Sequence, residues 1–403
     1  MVSMLADLST EMMQPILPLF LIGTLGASYS FVGLIEGSSD SVSSLVKVVS
    51  GWYSDRLGRR KLFVVLGYLP TAILKPILYF VQTPLQVLGI RIPERAGKGF
   101  RGAPRDALIA ESVDKKELGR AFGFHRASDT FGAVIGSFLG FVFLTIIITA
   151  NSSDTYRIIF VISSIPAAIS VIIAQFFVNE VKKTSPSTRA TIIADSTRKD
   201  HNGERKKQKL KKINFIQAIQ TFDTRLKFFI IISSIFAFAN FNLSFFILRA
   251  KVTGITDTNI LLLYTLFNVM YAAVSYPFGS ISDKIGRDKV IMMGFAVFIV
   301  STLGFAFFSS SLVNFIILFS VLGVYMGIFD GSQKAYISEI AHPSYKATAL
   351  GTIATLTGII TLPASLVAGI LWDKFGPSAT FVFAAAVALM ALGMFIVVYK
   401  IKS

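Results

Sequence analysis

Cysteine is absent from the 403 residues, which excludes disulfides and thiolate metal sites. Only three histidines occur, scattered along the chain, so no metal site is spelled out. Charge is scarce as well. Asp, Glu, Lys and Arg make up 15% of the chain, where a soluble protein carries about a quarter. No phosphate-cradling loop is present, because Gly97-Lys98-Gly99 lacks the upstream glycine and the strand context. With no catalytic triad either, neither an enzyme nor a cofactor is expected. No cleavable leader is expected, since the first apolar stretch lacks a small-residue cleavage site and others follow it.

In place of charge there is apolar surface. Hydrophobic residues make up 53% of the chain and Phe alone occurs 37 times. A water-soluble core does not hide that much, so the solvent for it is lipid. A helix takes about 20 residues to cross a bilayer. Twelve stretches qualify, at roughly 3–25, 31–53, 61–81, 84–111, 119–149, 156–179, 227–249, 258–279, 289–309, 312–339, 347–371 and 378–399. The expected fold is an all-α polytopic membrane protein. Its net charge of +16 sits between the apolar stretches. That pattern suits loops facing anionic lipid headgroups and not a nucleic-acid binder.

Loops holding Arg56, Arg59, Arg60 and Lys61, then Lys115, Lys116 and Arg120, then Lys284, Arg287 and Lys289, and finally Lys400 and Lys402, form one set. The alternate loops around 26–30, 82–84 and 310–312 have no Lys or Arg. Both termini are therefore expected on the cytoplasmic side of the plasma membrane. Residues 181–226 are polar and contain the run RKDHNGERKKQKLKK at 198–212. They read as a basic cytoplasmic linker between six spans in 1–180 and six in 227–403.

The halves repeat. GWYSDRLGRRK (Gly51–Lys61) returns as GSISDKIGRDK (Gly279–Lys289), an offset of 228 residues. The same offset pairs Gly99 with Gly327, Ala107 with Ala335, Glu111 with Glu339 and Gly123 with Gly351. A register held that long predicts two pseudo-symmetric six-helix bundles descended from one unit.

Gly51-x-x-x-Asp55-Arg56-x-Gly58-Arg59-Arg60-Lys61 resembles the loop 2–3 signature of the major facilitator superfamily, and the copy falls where that family carries its second one. Arg95-Ala-Gly-Lys98-Gly99 is similar to an Arg-x-x-Gln-Gly pattern of proton-coupled members, with Lys98 in place of Gln. Gly132-x-x-x-Gly136-x-x-x-Gly140 is similar to the glycine motif of antiporters, with Ser137 where that motif has Pro. Helix packing accounts for the same stripe. The opening MLADLSTEMMQPILPLFLIGTLGAS looks like that of prokaryotic drug-efflux-like members.

The resemblance covers the whole chain. It implies a monomeric secondary transporter with two bundles rocking about a midplane cavity, moving a small organic molecule, with proton-coupled export favoured. It implies a gate built on Gly51, Asp55, Arg56, Gly58 and Asp283, with Arg59 reaching Glu111 and Arg287 reaching Glu339 in one state only. Uptake or facilitated diffusion of an organic anion, and a non-transporting membrane sensor, stay open as alternatives.

Ionisable residues inside spans mark substrate or proton paths. Arg91, Arg95, Lys98 and Arg105 of the fourth span fall within one arc of about 80° at ~100° per residue. A cation at mid-bilayer costs roughly 2.5–3.5 kcal/mol, so these side chains face the bundle interior and need counter-charges. Asp7, Glu11, Glu36, Asp40 and Asp129 supply them. Glu11, Asp40, Asp129 and Arg95 are expected nearest the midplane. Asp40 or Asp129 is expected to carry the proton, with Arg95 as counter-ion. A substrate that displaces the arginine leaves the acid to take a proton instead, which is a workable coupling. A static ion-pair network is the rival reading. Glu36, Arg91, Lys98, Arg126, Asn240 and Asp330 are expected along the substrate cavity. Pro15, Pro18 and Pro363 are expected to kink their helices.

Overall fold

The computed structural model describes residues 1–114, 117–147, 152–180, 222–342 and 346–400. Most of the expected basic linker lies outside the described residues, as do Lys115, Lys116, Lys402 and the side chains of Asp55 and Lys400. Among the described residues there is no strand. Fourteen α-helices follow one another: α1 (Val2–Met13), α2 (Ile16–Gly23), α3 (Tyr29–Leu57), α4 (Arg60–Ile77), α5 (Pro84–Glu111), α6 (Leu118–Ile146), α7 (Ser152–Phe177), α8 (Thr224–Ala239), α9 (Ser244–Val252), α10 (Asp257–Ile285), α11 (Arg287–Phe307), α12 (Leu312–Ile340), α13 (Lys346–Phe375) and α14 (Pro377–Lys400).

Nine helical segments among the described residues are long and apolar enough to cross a membrane. α5 falls short because it carries eight ionisable residues. The stretches expected at 3–25 and 31–53 are not among the nine either, and the first of them is broken. Pro15 has no N–H to continue the helical ladder, and the chain divides into α1 and α2 there. The stretch expected at 227–249 is broken too. Asn240 leaves the helical region, and Asn242 Oδ1 accepts from the Ser244 N–H at 2.9 Å to start α9. Thr224–Val252 still counts among the nine, so the break there alters the backbone within the expected span. Helices continue through Pro18 and Pro363.

The 228-residue offset reaches down to helix starts. Ser28 caps α3 by accepting from the Phe31 N–H at 3.2 Å, and Thr256 caps α10 through Asn259 at 3.4 Å. Thr83 caps α5 through Gln86 at 3.4 Å, and Ser311 caps α12 through Asn314 at 3.3 Å. Such caps contribute about 1 kcal/mol each. The breaks share the offset as well, since Gln14 corresponds to Asn242.

In the first half α5 packs on α3 and α4, and α1 packs on α6 and α7. The glycine stripe of α6 is the seam with α1. A Cβ on Gly136 would stand 2.3 Å from the Leu8 carbonyl oxygen, so only glycine lets these backbones approach. In the second half α12 packs on α10 and α11 around aromatic rings, with Phe236 edge-on to Phe295 and Phe298 at 4.6 and 5.1 Å.

The halves meet along α3 with α13, α6 with α10, and α2 with α9. The α3–α13 seam is tight at the end away from the basic loops. Ser41 Oγ donates to the Gly358 carbonyl at 2.6 Å. Asp373 accepts from the N–H groups of Tyr29 and Ser30 at 3.0 and 2.9 Å, capping α3 from the opposite half. Trp372 stacks on Tyr29 at 4.8 Å. Toward the basic loops Lys47, Trp52 and Tyr53 of α3 are exposed, and a Cβ on Gly351 of α13 would meet nothing within 4 Å. The α3–α13 seam is therefore closed at the far end and looser toward the basic loops.

Candidate functional site

α5 runs through the middle of the first half, and its cations divide by environment. Arg91 is wholly buried, donates to Glu94 Oε2 at 2.7 Å and lies 3.5 Å from Glu36 Oε2. Glu36 is wholly buried too. Both were expected along the cavity, and the structure corrects this by sealing them in the protein. Charges so buried need each other, because an unpaired one costs several kcal/mol. Arg95 is 6% exposed and donates to Gln14 Oε1 at 2.7 Å, at the α1–α2 break. Its partner is thus an amide, not Asp40 or Asp129, which corrects the expected counter-ion. Arg101 is buried over the Tyr68 ring at 4.1 Å and donates to the Gly67 carbonyl at 3.2 Å. Arg105 holds Asp106 at 2.9 Å and Ser3 at 2.9 Å. Lys98 is exposed and has no hydrogen bond or ion pair among the described residues.

The carboxylates on the inner faces are held by neutral or charged groups from both halves. Glu11 accepts from the Tyr264 hydroxyl at 2.5 Å. Asp40 accepts from Asn242 Nδ2 at 3.0 Å. The two break residues thus hold one charged group each: Gln14 takes Arg95, and Asn242 takes Asp40. Asp129 lies 3.4 Å from His125 Nδ1 and 3.9 Å from Arg105, while its Oδ1 is buried with no hydrogen-bond partner. Asp129, His125, Arg105, Ser3 and Tyr68 border a cleft of about 390 Å³ in the first half.

Arg126 and Asp330 come from opposite halves and meet at 2.8 Å. Arg126 also donates to the Tyr271 hydroxyl, which donates to Asp330 Oδ2 at 3.2 Å. Lys334 completes the group, 2.8 Å from Asp330 Oδ1. Asn240 is half-buried at the end of α8, and the polar contact to the first half is made by its neighbour Asn242.

At the basic end the repeated signature builds a link within each half. Arg287 reaches Asp283 at 3.0 Å and Glu339 at 3.3 Å. In the first half Glu111 is held at 2.8 Å by Arg60, not by Arg59 as expected. The reason is helix register. α11 begins at Arg287 itself, whereas Arg59 precedes α4 in a non-helical conformation and is exposed. The N–H groups of Arg60 and Lys61 are taken by Glu180 at 2.7 and 2.8 Å, which stabilises the positive end of α4. Gly58 turns the chain at φ +67°. Gly51 packs on Ala103 of α5, with its would-be Cβ 3.1 Å from the alanine methyl. Arg56 lies over the Trp52 ring at 5.4 Å.

One buried cation escapes the sequence. Lys75 is fully buried, and its Nζ donates to Ser9 Oγ at 2.7 Å. Ser9 in turn donates to the Ser163 carbonyl at 2.5 Å. The available signal was a lone lysine in an apolar run between Pro70 and Pro76. Gln14, Asn242, Tyr264 and Tyr271 were equally hard to select, because amides and tyrosines are common helix-to-helix contacts. Among the described residues no three His, Asp or Glu side chains converge as metal ligands.

Known proteins give the same picture. The family model of the Major Facilitator Superfamily matches residues 1–248 and 227–402. An uncharacterized MFS-type transporter of Methanocaldococcus jannaschii is 38% identical over 395 residues, covering 96% of this chain and 91% of that one. Among solved structures, a bacterial homolog of the human lysosomal transporter Spinster, inward-facing and unoccupied, superposes with a TM-score of 0.74 at 16% identity, covering 98% of this chain and 95% of that one. A D-xylose-proton symporter superposes with a TM-score of 0.73 at 16% identity, with coverage of 98% and 95%. At that identity the likeness is one of fold. The chain is a multi-pass membrane transport protein, not an enzyme, and it belongs to the Major Facilitator Superfamily.

Proposed function

We propose that the chain is a proton-coupled secondary transporter of a small organic molecule, with two six-helix halves (1–180 and 227–403) giving twelve spans and working by alternating access. α1 with α2 count as one span and α8 with α9 as another. Both termini and the basic linker face the cytoplasm, and the present state opens inward. The observation that carries the reading is an exposed charged residue, Lys98, at the middle of α5, beside a seam that is closed at the far end. A lysine there needs water, and water at mid-membrane between repeated halves is what alternating access requires.

Proton coupling rests on Asp129. It is mostly buried, one carboxylate oxygen has no partner, and it borders a cleft at the basic end. Asp40 is the second candidate, because its partner Asn242 belongs to the other half and is lost when the halves rock. Glu11 stands in the same position toward Tyr264. Such differential contacts let protonation bias one state. The signature links Arg60–Glu111 and Arg287–Glu339 stiffen each half at the basic end, and Asp373 on α3 closes the far end.

The test uses purified protein in liposomes enclosing a pH-sensitive dye, with cationic, neutral and anionic compounds added under an imposed proton gradient. Substrate-dependent proton flux lost in Asp129→Asn or Asp40→Asn is the expected result. Substrate movement without proton flux would reassign these acids to structure and the protein to facilitated diffusion. Export is favoured over uptake by the drug-efflux-like opening sequence.

A further inference from the structure

Below the seal, exposed cations stand at Lys47 on α3, Lys98 on α5, Arg126 on α6 and Lys334 on α12. The carboxylates nearby are drawn back. Asp7, Glu11, Asp129 and Asp330 are only half-exposed or less. Asp330 is shared by Arg126 and Lys334. Glu11 is engaged by Tyr264.

Lys47 and Lys98 are not shared with anything. Neither has a hydrogen bond or ion pair among the described residues, and α3 and α5 pack closely where they stand. The Lys47 stem crosses Gly102, where a Cβ would meet its Cδ and Cε at 3.4 Å. Gly102 lies one turn from Lys98 on the same face of α5, about 6 Å along the axis. α3 comes this close because Gly99 has no side chain; a Cβ there would stand 2.2 Å from the Ser43 carbonyl oxygen. Lys47 also lies ten residues inside α3, about 15 Å from its basic end at 1.5 Å per residue. Each of the other cations of α5 has a hydrogen-bond partner in the protein: Arg91 in Glu94, Arg95 in Gln14, Arg101 in Gly67, Arg105 in Asp106. Asp7 and Glu11 act on Lys98 from a distance, but neither lysine has a carboxylate in contact, and cations left so draw an anion.

We propose that the transported molecule is a small organic anion whose oxyanion group docks between Lys98 and Lys47. Arg126 and Lys334 add to the positive field from the opposite wall. The inference rests on the transport reading and names its substrate class.

The chain has no cysteine, so Lys98→Cys gives a single reporter in the full-length protein. Its modification in detergent by a negatively charged sulfonatoethyl thiosulfonate should run on the order of tenfold faster than by the positively charged trimethylammonium analogue, after correction for their rates with free thiol. Adding Lys47→Gln should cut that preference. In parallel, succinate, benzoate and glycerol phosphate should raise the melting temperature of the unmodified protein and of Lys98→Arg, but not of Lys98→Gln. An unreactive thiol in the Lys98→Cys variant, equal or reversed charge preference, no shift with any of the three anions, or an equal shift in Lys98→Gln would each overturn the proposal. The two readings fail separately. Anion binding without proton flux in the liposome assay removes the coupling alone, and proton flux driven by a neutral or cationic compound without anion binding removes the anion site alone.

Discussion

The two halves have one architecture and two interiors. Helix caps, breaks and signature loops recur 228 residues apart, yet the residues they carry inward differ in kind. Position 91 is a buried arginine, and its counterpart 319 is a buried phenylalanine. The first half encloses Lys75, Arg91, Arg95, Arg101, Glu36 and Glu94, while the second encloses Phe236, Phe295, Phe298 and Phe329. The lesson is that the fold is specified by caps, turns and close helix approaches, which leaves the interior free to diverge. The charged interior is strained in the sense that it needs complete pairing; the aromatic one is not.

The largest effect expected from that contrast is at the paired positions. Arg91→Leu leaves Glu36 and Glu94 buried without their partner and should cost about 3–5 kcal/mol, whereas Phe319→Leu should cost less than about 1.5 kcal/mol. Melting curves in detergent measure both, and similar losses would erase the distinction. Next comes helix approach. Gly136→Leu forces a side chain onto the Leu8 carbonyl oxygen and should cost about 1–3 kcal/mol or more. Gly123→Ala, with nothing within 4 Å, should be tolerated.

The sequence made the scaffold legible but only part of the site. Apolar stretches and the 228-residue offset give the helices, because lipid demands long uninterrupted runs and repeated loops demand repeated geometry. Pro15 flags the break at Gln14, but nothing flags the one at Asn240–Leu243, since an apolar stretch reads the same whether its backbone is continuous or not. Arg60 in place of Arg59 turns on a single residue of helix register, below what loop motifs resolve. Arg91 and Glu36 sit on the expected faces, but depth decides whether such a face meets water or another helix. Lys75 could not be found by pattern, because its partner is one serine on a distant helix.

Smaller effects sharpen the comparison. Asp373→Ala removes the cap that the second half places on α3, about 1 kcal/mol, or roughly a fivefold shift toward the state open at the far end. A Ser38→Cys reporter on the seam should become that much more reactive to an impermeant reagent from the far side. Smallest and most symmetric, Thr83→Ala and Ser311→Ala should each lower stability by about 1 kcal/mol. Unequal losses would show that the caps are repeated in position but not in weight.

The division of labour between the halves has one direct test. Proton flux and substrate uptake are measured together in proteoliposomes for Asp129→Asn in the first half and Asp330→Asn in the second. Loss of proton flux in Asp129→Asn, with flux retained and only substrate affinity altered in Asp330→Asn, is the result expected when coupling resides in the charged half. Normal flux in Asp129→Asn together with loss in Asp330→Asn would contradict it.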